Sequence, residues 1–469
     1  MQEREHVPAE KWITSVAVEG LHNRLNFSVK LMSGINVIYG KNGLGKTTLL
    51  HIIANLSEID IERFNHLSFT KISLSDSDGQ EIRLEKYDQS ISVFINDQKT
   101  SYETGGGLSE LESERIKSIV GPRATYLPAF RSVLERMRES TTYSSYEERA
   151  KPEYEALRRI EFQSLQAMRG SERIMRRENN LIDTNVTKTL RCRDWFGQFV
   201  PAIRYPSITD VLSGLTDEWT SAQIAISKVE QKQFETAFVE IFSAIAKGNV
   251  EKDGINQSVL LDEIRDLVSP EEDNVVGPHQ QTAYAELVNI AENNKGGDRN
   301  YGNILEIYRN KLRDRKSERE DILKPIHDFQ NSINVFLSEK VLKIGSRQIG
   351  RLPRVRDASV LIEPSSGKPY RVTALSSGER QILTMLYSAS RSLFQSGCCL
   401  IDEPELSLHV DWQRIILSHI EKQHHGRQII ACTHSPEVGA DHDDRVLFFA
   451  PLASDVCDVD MDIDDGVGL

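Results

Sequence analysis

The sequence predicts an α/β fold whose strand-containing lobes are split by a large α-helical insertion. Three observations carry this expectation. The buried-strand run Ile35–Tyr39 passes through a glycine-rich turn into an apolar helix pattern at Leu49–Leu56. From about Val133 to Leu337 apolar residues recur at three- and four-residue spacing, as in Ala222–Lys247 and Ile304–Leu337. After Lys340 strands return, and the apolar run Cys398–Ile401 ends in two carboxylates, Asp402 and Glu403. The expected divisions are an N-terminal lobe at 1–132, the insertion at 133–340, a C-terminal lobe at 341–450 and an acidic tail at 451–469.

Along the first lobe, Ile13–Val18, Leu25–Val29, Phe69–Leu74 and Ile91–Ile95 are short alternating or β-branched runs bounded by Gly, Asn and Asp, and read as strands. Between them, Gly40-Lys41-Asn42-Gly43-Leu44-Gly45-Lys46-Thr47-Thr48 fits the phosphate-loop pattern without a mismatch. Its glycines let backbone N–H groups converge on phosphate oxygens, and the helix that follows adds a favourable dipole. Gly40, Asn42, Gly43, Gly45, Lys46, Thr47 and Thr48 are therefore the candidate ATP-binding residues. Lys46 is expected on the β- and γ-phosphates, and the Thr47 hydroxyl on Mg²⁺.

Within the insertion no heptad persists long enough for an extended coiled coil. Glu271–Gly277, closed by Pro278, and the Asn- and Gly-rich Glu292–Asn303 read as loops. In the second lobe, Leu375-Ser376-Ser377-Gly378-Glu379 opens an apolar helix, so hydroxyl and N–H groups at a helix N-terminus can meet an anion. Asp402 is placed to hold the Mg²⁺ and Glu403 to polarise an attacking water. A second apolar strand, Ile429–Thr433, ends in His434.

Composition bounds the function classes. A chain of 469 residues exceeds one usual domain. No apolar run approaches the ~20 residues of a membrane span. The charged start, Met1 to Lys11, lacks a secretory core, so a cytoplasmic protein without membrane contact is expected. Five cysteines, Cys192, Cys398, Cys399, Cys432 and Cys457, show no CxxC spacing and are expected to be reduced. A net charge of −13 argues against a surface that is basic all round. Locally, Arg131–Arg193 holds fourteen Lys/Arg against ten Asp/Glu. That stretch, with Arg158, Arg159, Arg169, Arg173, Arg176, Arg177, Arg191 and Arg193, is either a solvated helix face or a contact for nucleic acid or an acidic partner.

Taken in order, these motifs resemble those of the ABC ATPases, which implies a head with a mixed-sheet core carrying the P-loop and an antiparallel β subdomain, split by the α-helical insertion. Leu375 to Glu379 looks like the family signature, with Ser377 for its first glycine and Glu379 for its glutamine. Pro404-Glu405-Leu406-Ser407-Leu408-His409 stands where the family has its D-loop, which makes Ser407 and His409 candidates there. His434 is similar to the family's switch histidine, which implies contact with the γ-phosphate and a catalytic role beside Glu403. The resemblance further implies that Ser376, Ser377, Gly378 and Glu379 act in trans, on ATP held by the P-loop of a second head. A homo-oligomer that closes on ATP follows. No glutamine stands in Thr125–Arg131, where the family's Q-loop is sought, and Arg131 is the expected substitute.

More than three hundred residues separate Thr48 from Leu375, which sets the chain apart from transporter subunits. The wide split and the segments Tyr126–Ala129, Glu403–His409 and Thr433–Pro436 look like the SMC/RecF/OLD group. That resemblance covers about the first 130 and the last 120 residues. The 35 residues after His434 are too few for a Toprim nuclease domain, and Asp458, Asp460, Asp462 and Asp464 are expected to belong to a solvated tail. The layout resembles the ATPase subunits of bacterial anti-phage systems such as Septu and PARIS, the PARIS subunit being the closer in length. This implies a sensor and scaffold controlling a separate effector nuclease, with a phage component as trigger. The alternative is a DNA-tethering or DNA-repair ATPase of RecF or SMC type.

Overall fold

A computed structural model of the chain describes residues 11–88, 90–100, 102, 108–136, 152–166, 172–247, 257–268, 299–348, 356–390, 397–423 and 426–450. The expected loop at 271–278, the acidic tail, Cys457 and Arg169 lie outside these residues. The N-terminal lobe runs β1 (Ile13–Leu21), β2 (Leu25–Lys30), β3 (Ile35–Tyr39), α1 (Lys46–Ser57), β4 (Lys71–Asp76), β5 (Glu81–Tyr87), β6 (Ser90–Ile95), β7 (Gln98–Lys99), α2 (Glu110–Val120), β8 (Thr125–Leu127) and α3 (Arg131–Arg136). The helical middle contains α4 (Pro152–Gln166), α5 (Glu172–Phe196), α6 (Ile208–Lys247), α7 (Gln257–Val268) and α8 (Arg299–Asn334). Strands β9 (Lys340–Gln348), β10 (Arg356–Pro364) and β11 (Tyr370–Arg371) follow, then α9 (Ser377–Ser390), β12 (Cys399–Asp402), α10 (Val410–Gln423), β13 (Ile429–Thr433) and β14 (Val446–Phe448). Helix α8 starts at Arg299, inside the segment expected to be a loop up to Asn303.

Contacts divide the chain into two compact units, Met1–Thr209 with Leu375–Leu469, and Asp210–Ala374. The first holds two sheets. One is antiparallel, in the order β2-β1-β4-β5-β6-β7. The other is parallel throughout, in the order β14-β3-β13-β12-β8, so residues far apart in sequence become neighbours. Parallel strands buried on both faces read as continuous apolar runs, which is why β3, β12 and β13 were visible in the sequence. Helix α1 lies on this sheet with Leu49, Leu50, Ile52 and Ile53 fully buried. Each such side chain contributes roughly 1.5–3 kcal/mol through area removed from water.

The division at Thr209 differs from the boundary expected at residue 132. Helices α4 and α5 belong to the first unit because a buried ionic network joins them to the end of α1. Glu58 receives Arg204, which also binds Glu161 of α4 at 2.6 Å, and Arg123 at 3.2 Å. Arg193 of α5 lies 2.6 Å from Glu153 and 3.6 Å from Asp60, while Arg63 meets the same Glu153. Burial alone would push the Glu58 carboxyl up; the guanidinium groups of Arg204 and Arg123 outweigh it and hold the pKa below its ordinary value. The Asn55 amide adds a bond of 2.9 Å to the Phe199 carbonyl.

The second unit packs Leu260 and Ile264 of α7 against Leu305 of α8, and pairs Lys311 with Glu240 and Arg315 with Glu230. Its three strands form an antiparallel sheet, β11-β10-β9.

Candidate functional site

The site forms where β3, β12 and β13 end side by side, because parallel pairing in register sets Thr433 beside Tyr39 and Asp402 beside Cys432. From Tyr39 the chain turns through the glycine-rich loop into α1. Gly45 caps that helix at φ 99°, a left-handed conformation that glycine adopts without a Cβ penalty. Asn42 and Gly43 are exposed, while Thr48 is half-buried on the first turn of α1. Buried Lys46 folds back, its Nζ donating to the carbonyls of Gly40 at 2.6 Å and Lys41 at 2.9 Å.

Thr47 Oγ1 donates to Asp402 Oδ2 at 2.9 Å, joining residues 355 positions apart. Burial pushes the Asp402 carboxyl up to about 6, against the opposing pull of the Thr47 hydroxyl. Glu403 extends the ladder, its N–H donating to the Cys432 carbonyl at 2.8 Å, and then takes φ 47°, rare for a residue with a Cβ. This turn leaves the Glu403 side chain half-buried, 3.7 Å from His434 Nδ1.

Arg131, the expected Q-loop substitute, packs against the strand that carries the two carboxylates. It is fully buried behind the end of β12, where its guanidinium donates to the carbonyls of Pro128 at 3.2 Å, Asp402 at 3.0 Å, Glu403 at 2.8 Å and Pro404 at 3.1 Å. It shapes the strand end that carries the two carboxylates. Arg131→Leu is expected to lower stability by about 3 kcal/mol or more, since it strands buried carbonyls at ~1–3 kcal/mol each. Chemical denaturation measures this, and an unchanged midpoint would refute the clamp.

The signature residues play unequal parts. Ser376 and Glu379 form a reciprocal cap on α9: Glu379 Oε2 accepts the Ser376 N–H at 2.9 Å, and Ser376 Oγ accepts the Glu379 N–H at 3.4 Å. Glu379 is thus buried and turned back on its own helix, while Ser377 is exposed. At Gly378 a Cβ would stand 2.7 Å from the Ser407 carbonyl, so only glycine lets the D-loop lie against α9. Ser407 itself sits at φ 63°, and exposed His409 faces Asp411 at 3.3 Å.

One residue escaped the sequence reading. Glu405 is buried, and its Oε1 accepts from Thr433 Oγ1 at 2.6 Å, the His434 N–H at 3.0 Å and the Ser435 N–H at 3.2 Å. The same oxygen stands 3.0 Å from His434 Nδ1. The available signal was a third acid three residues after Asp402, in a turn where only the first two had been given work.

The described arginines of the basic stretch differ in their surroundings. Arg193 is buried in ion pairs and Arg158 pairs with Asp183 at 3.2 Å, although Arg159 is exposed. Cys192, Cys398, Cys399 and Cys432 are buried and unpaired with one another. Among the described residues no helix is long and apolar enough to cross a membrane.

Residues 12–438 match the AAA ATPase domain family (AAA_15). The chain belongs to that family. Two curated relatives of this AAA ATPase are similar over part of their length. The Retron Ec83 probable ATPase of Escherichia coli is 31% identical over 147 residues, 25% of this chain and 27% of the relative. The Retron Vc95 probable ATPase of Vibrio cholerae serotype O1 biovar El Tor is 30% identical over 132 residues, 26% of this chain and 24% of the relative. The matches thus span about a quarter of each relative. Among solved structures, the Smc head domain with an extended coiled coil from Pyrococcus furiosus aligns over 94% of this chain and 96% of its own at a TM-score of 0.40 and 13% identity. The SmcHead bound to the C-winged helix domain of ScpA aligns over 94% and 98%, at 0.41 and 10%.

Proposed function

We propose that this member of the AAA ATPase domain family hydrolyses ATP in a Mg²⁺-dependent reaction, that its sites are completed in trans by a second head, and that it serves as sensor and scaffold of an anti-phage system controlling a separate effector nuclease. The observation that carries the first part is the Thr47–Asp402 hydrogen bond of 2.9 Å, which unites the P-loop with the carboxylate strand. A hydroxyl and a carboxylate are the hard oxygen donors that suit Mg²⁺. When bound, the ion would neutralise phosphate charge. Lys46 would exchange its two loop carbonyls for phosphate oxygens, and Glu403 would orient and deprotonate the attacking water. His434 would face the terminal phosphate. Ser377, exposed at the start of α9, is available to the nucleotide of a partner head.

The partial likeness to two retron ATPases supports the defence role. The ion pairs of Arg193 and Arg158 leave less of the basic stretch for phosphate contacts, which weakens the DNA-tethering alternative.

A mixing experiment tests the trans arrangement. Ser377→Arg should bind ATP without hydrolysing it, because the insult lies on a neighbour's nucleotide, and Lys46→Ala should be inactive for want of its own. Mixed, the two variants should regain activity, since each heterodimer has one intact composite site. No recovery from variants that still associate would sink the arrangement.

A further inference from the structure

We infer that Glu405 is a positioning residue that acts through His434, holding its imidazole in the Nδ1–H form with Nε2 left for the terminal phosphate. This rests on the reading of His434 given above. Two carboxylates approach the ring nitrogen, and distance separates their roles: Glu405 Oε1 lies 3.0 Å from Nδ1, whereas Glu403 Oε1 lies 3.7 Å away. Glu405 Oε1 already accepts from the Thr433 hydroxyl and from the His434 and Ser435 N–H groups, so it favours the ring form that turns an N–H rather than a lone pair toward it, the proton then being on Nδ1. Nε2 is on the other side of the ring and is turned away from Glu405.

The same Glu405 oxygen fixes the backbone under the ring. Thr433 Oγ1 and the N–H groups of His434 and Ser435 all donate to it, within 2.6–3.2 Å. The end of β13 and the ring it presents are therefore held by one buried atom. Ser435 is tied on its far side as well, its hydroxyl donating to Gln413 Oε1 of α10 at 2.8 Å. Glu405 reaches this position because Pro404 and the tight turn after Glu403 bring the chain back beneath β13, with the Leu406 N–H on the Glu403 carbonyl at 3.2 Å and the Leu408 N–H on that of Glu405 at 3.0 Å. The two acids divide the work: Glu405 orients the histidine, which leaves Glu403 free to address water.

The test uses the full chain with Glu405→Gln, which keeps the size and an acceptor oxygen but not the charge, and Glu405→Ala. For Glu405→Gln, kcat should fall about ten- to hundredfold, the range for lost orienting partners. KM for ATP should stay within about twofold, because the lost interaction matters in the transition state. Nitrogen-15 signals of the His434 ring should move from one Nδ1–H form to a mixture. In a His434→Ala background the Glu405→Gln substitution should add no further loss. Glu405→Ala, which also frees the backbone, should cost more than Glu405→Gln.

An unchanged kcat or an unmoved ring spectrum in Glu405→Gln overturns the proposal. So does an equal loss from Glu405→Gln with and without His434, because Glu405 would then act on the backbone alone. If His434→Ala itself hydrolyses ATP at the parental rate, the reading of His434 fails and takes this one with it.

Discussion

Glu403→Gln is expected to slow ATP turnover by about 10²–10⁴-fold, the usual contribution of a positioned general base, while ATP stays bound. The substitution keeps the side-chain volume, and the features that place residue 403 involve only its main chain. These are the Arg131 guanidinium on its carbonyl and its own N–H on the Cys432 carbonyl. Neither the fold nor the nucleotide pocket should register the change. What disappears is the one acid half-exposed at this strand end, since Asp402 is committed to Thr47 and Glu405 is buried under His434. With hydrolysis blocked, the heads should stay closed on ATP, so native mass measurement should show a dimer or larger assembly only with ATP and Mg²⁺. Hydrolysis at the parental rate would remove Glu403 from the mechanism. The trapped assembly also separates the two wider roles. A partner nuclease held independently of salt supports the defence scaffold. ATP-dependent DNA binding that weakens with salt, with a log–log slope of about −0.9 per neutralised phosphate, would support tethering instead.

Lys46→Ala is expected to weaken nucleotide binding by about 3 kcal/mol, roughly a hundredfold in affinity, as when one member of a buried charged hydrogen-bonded pair is removed. The ammonium is buried and already holds two loop carbonyls, so its stem is ordered before any phosphate arrives. Little ordering entropy is then left to oppose binding, and most of the interaction appears as affinity. Calorimetric titration with ATP and Mg²⁺ measures the loss. Parental affinity in Lys46→Ala would mean that the loop does not cradle phosphate through this residue.

The parts of the site that were legible in the sequence are those whose chemistry demands side chains at fixed spacing. Gly45, Lys46 and Thr47 stand in an invariable order after a strand, and Asp402 and Glu403 end an apolar run. The structure brings Thr47 and Asp402 together and places Glu403 and His434 within 3.7 Å. The contacts of Arg131 and Glu405 were not legible because their partners are mainly backbone groups. A carbonyl or an N–H has no letter of its own, so a residue that serves four carbonyls looks like any other arginine. The pairing of Arg193 within the basic stretch was hidden for a related reason. Charge was counted along the chain, whereas the acids that neutralise Arg193 include Asp60, which a local count cannot see. Strand β5 was missed because Glu81, Arg83 and Glu85 alternate with its apolar residues, and the structure shows Arg83 beside both acids on one sheet face.

The ionic network around Glu58 decides where this molecule can be cut. Trimming at residues 132 and 340, as motif spacing alone suggests, would carry off Glu153, Glu161, Arg193 and Arg204 and abandon Glu58 and Asp60 beside the P-loop helix. An excision that keeps those partners falls after Thr209 and before Leu375. The helices nearest the P-loop lobe are thus part of that lobe's own folding unit, and a change of length in this chain has its room beyond them.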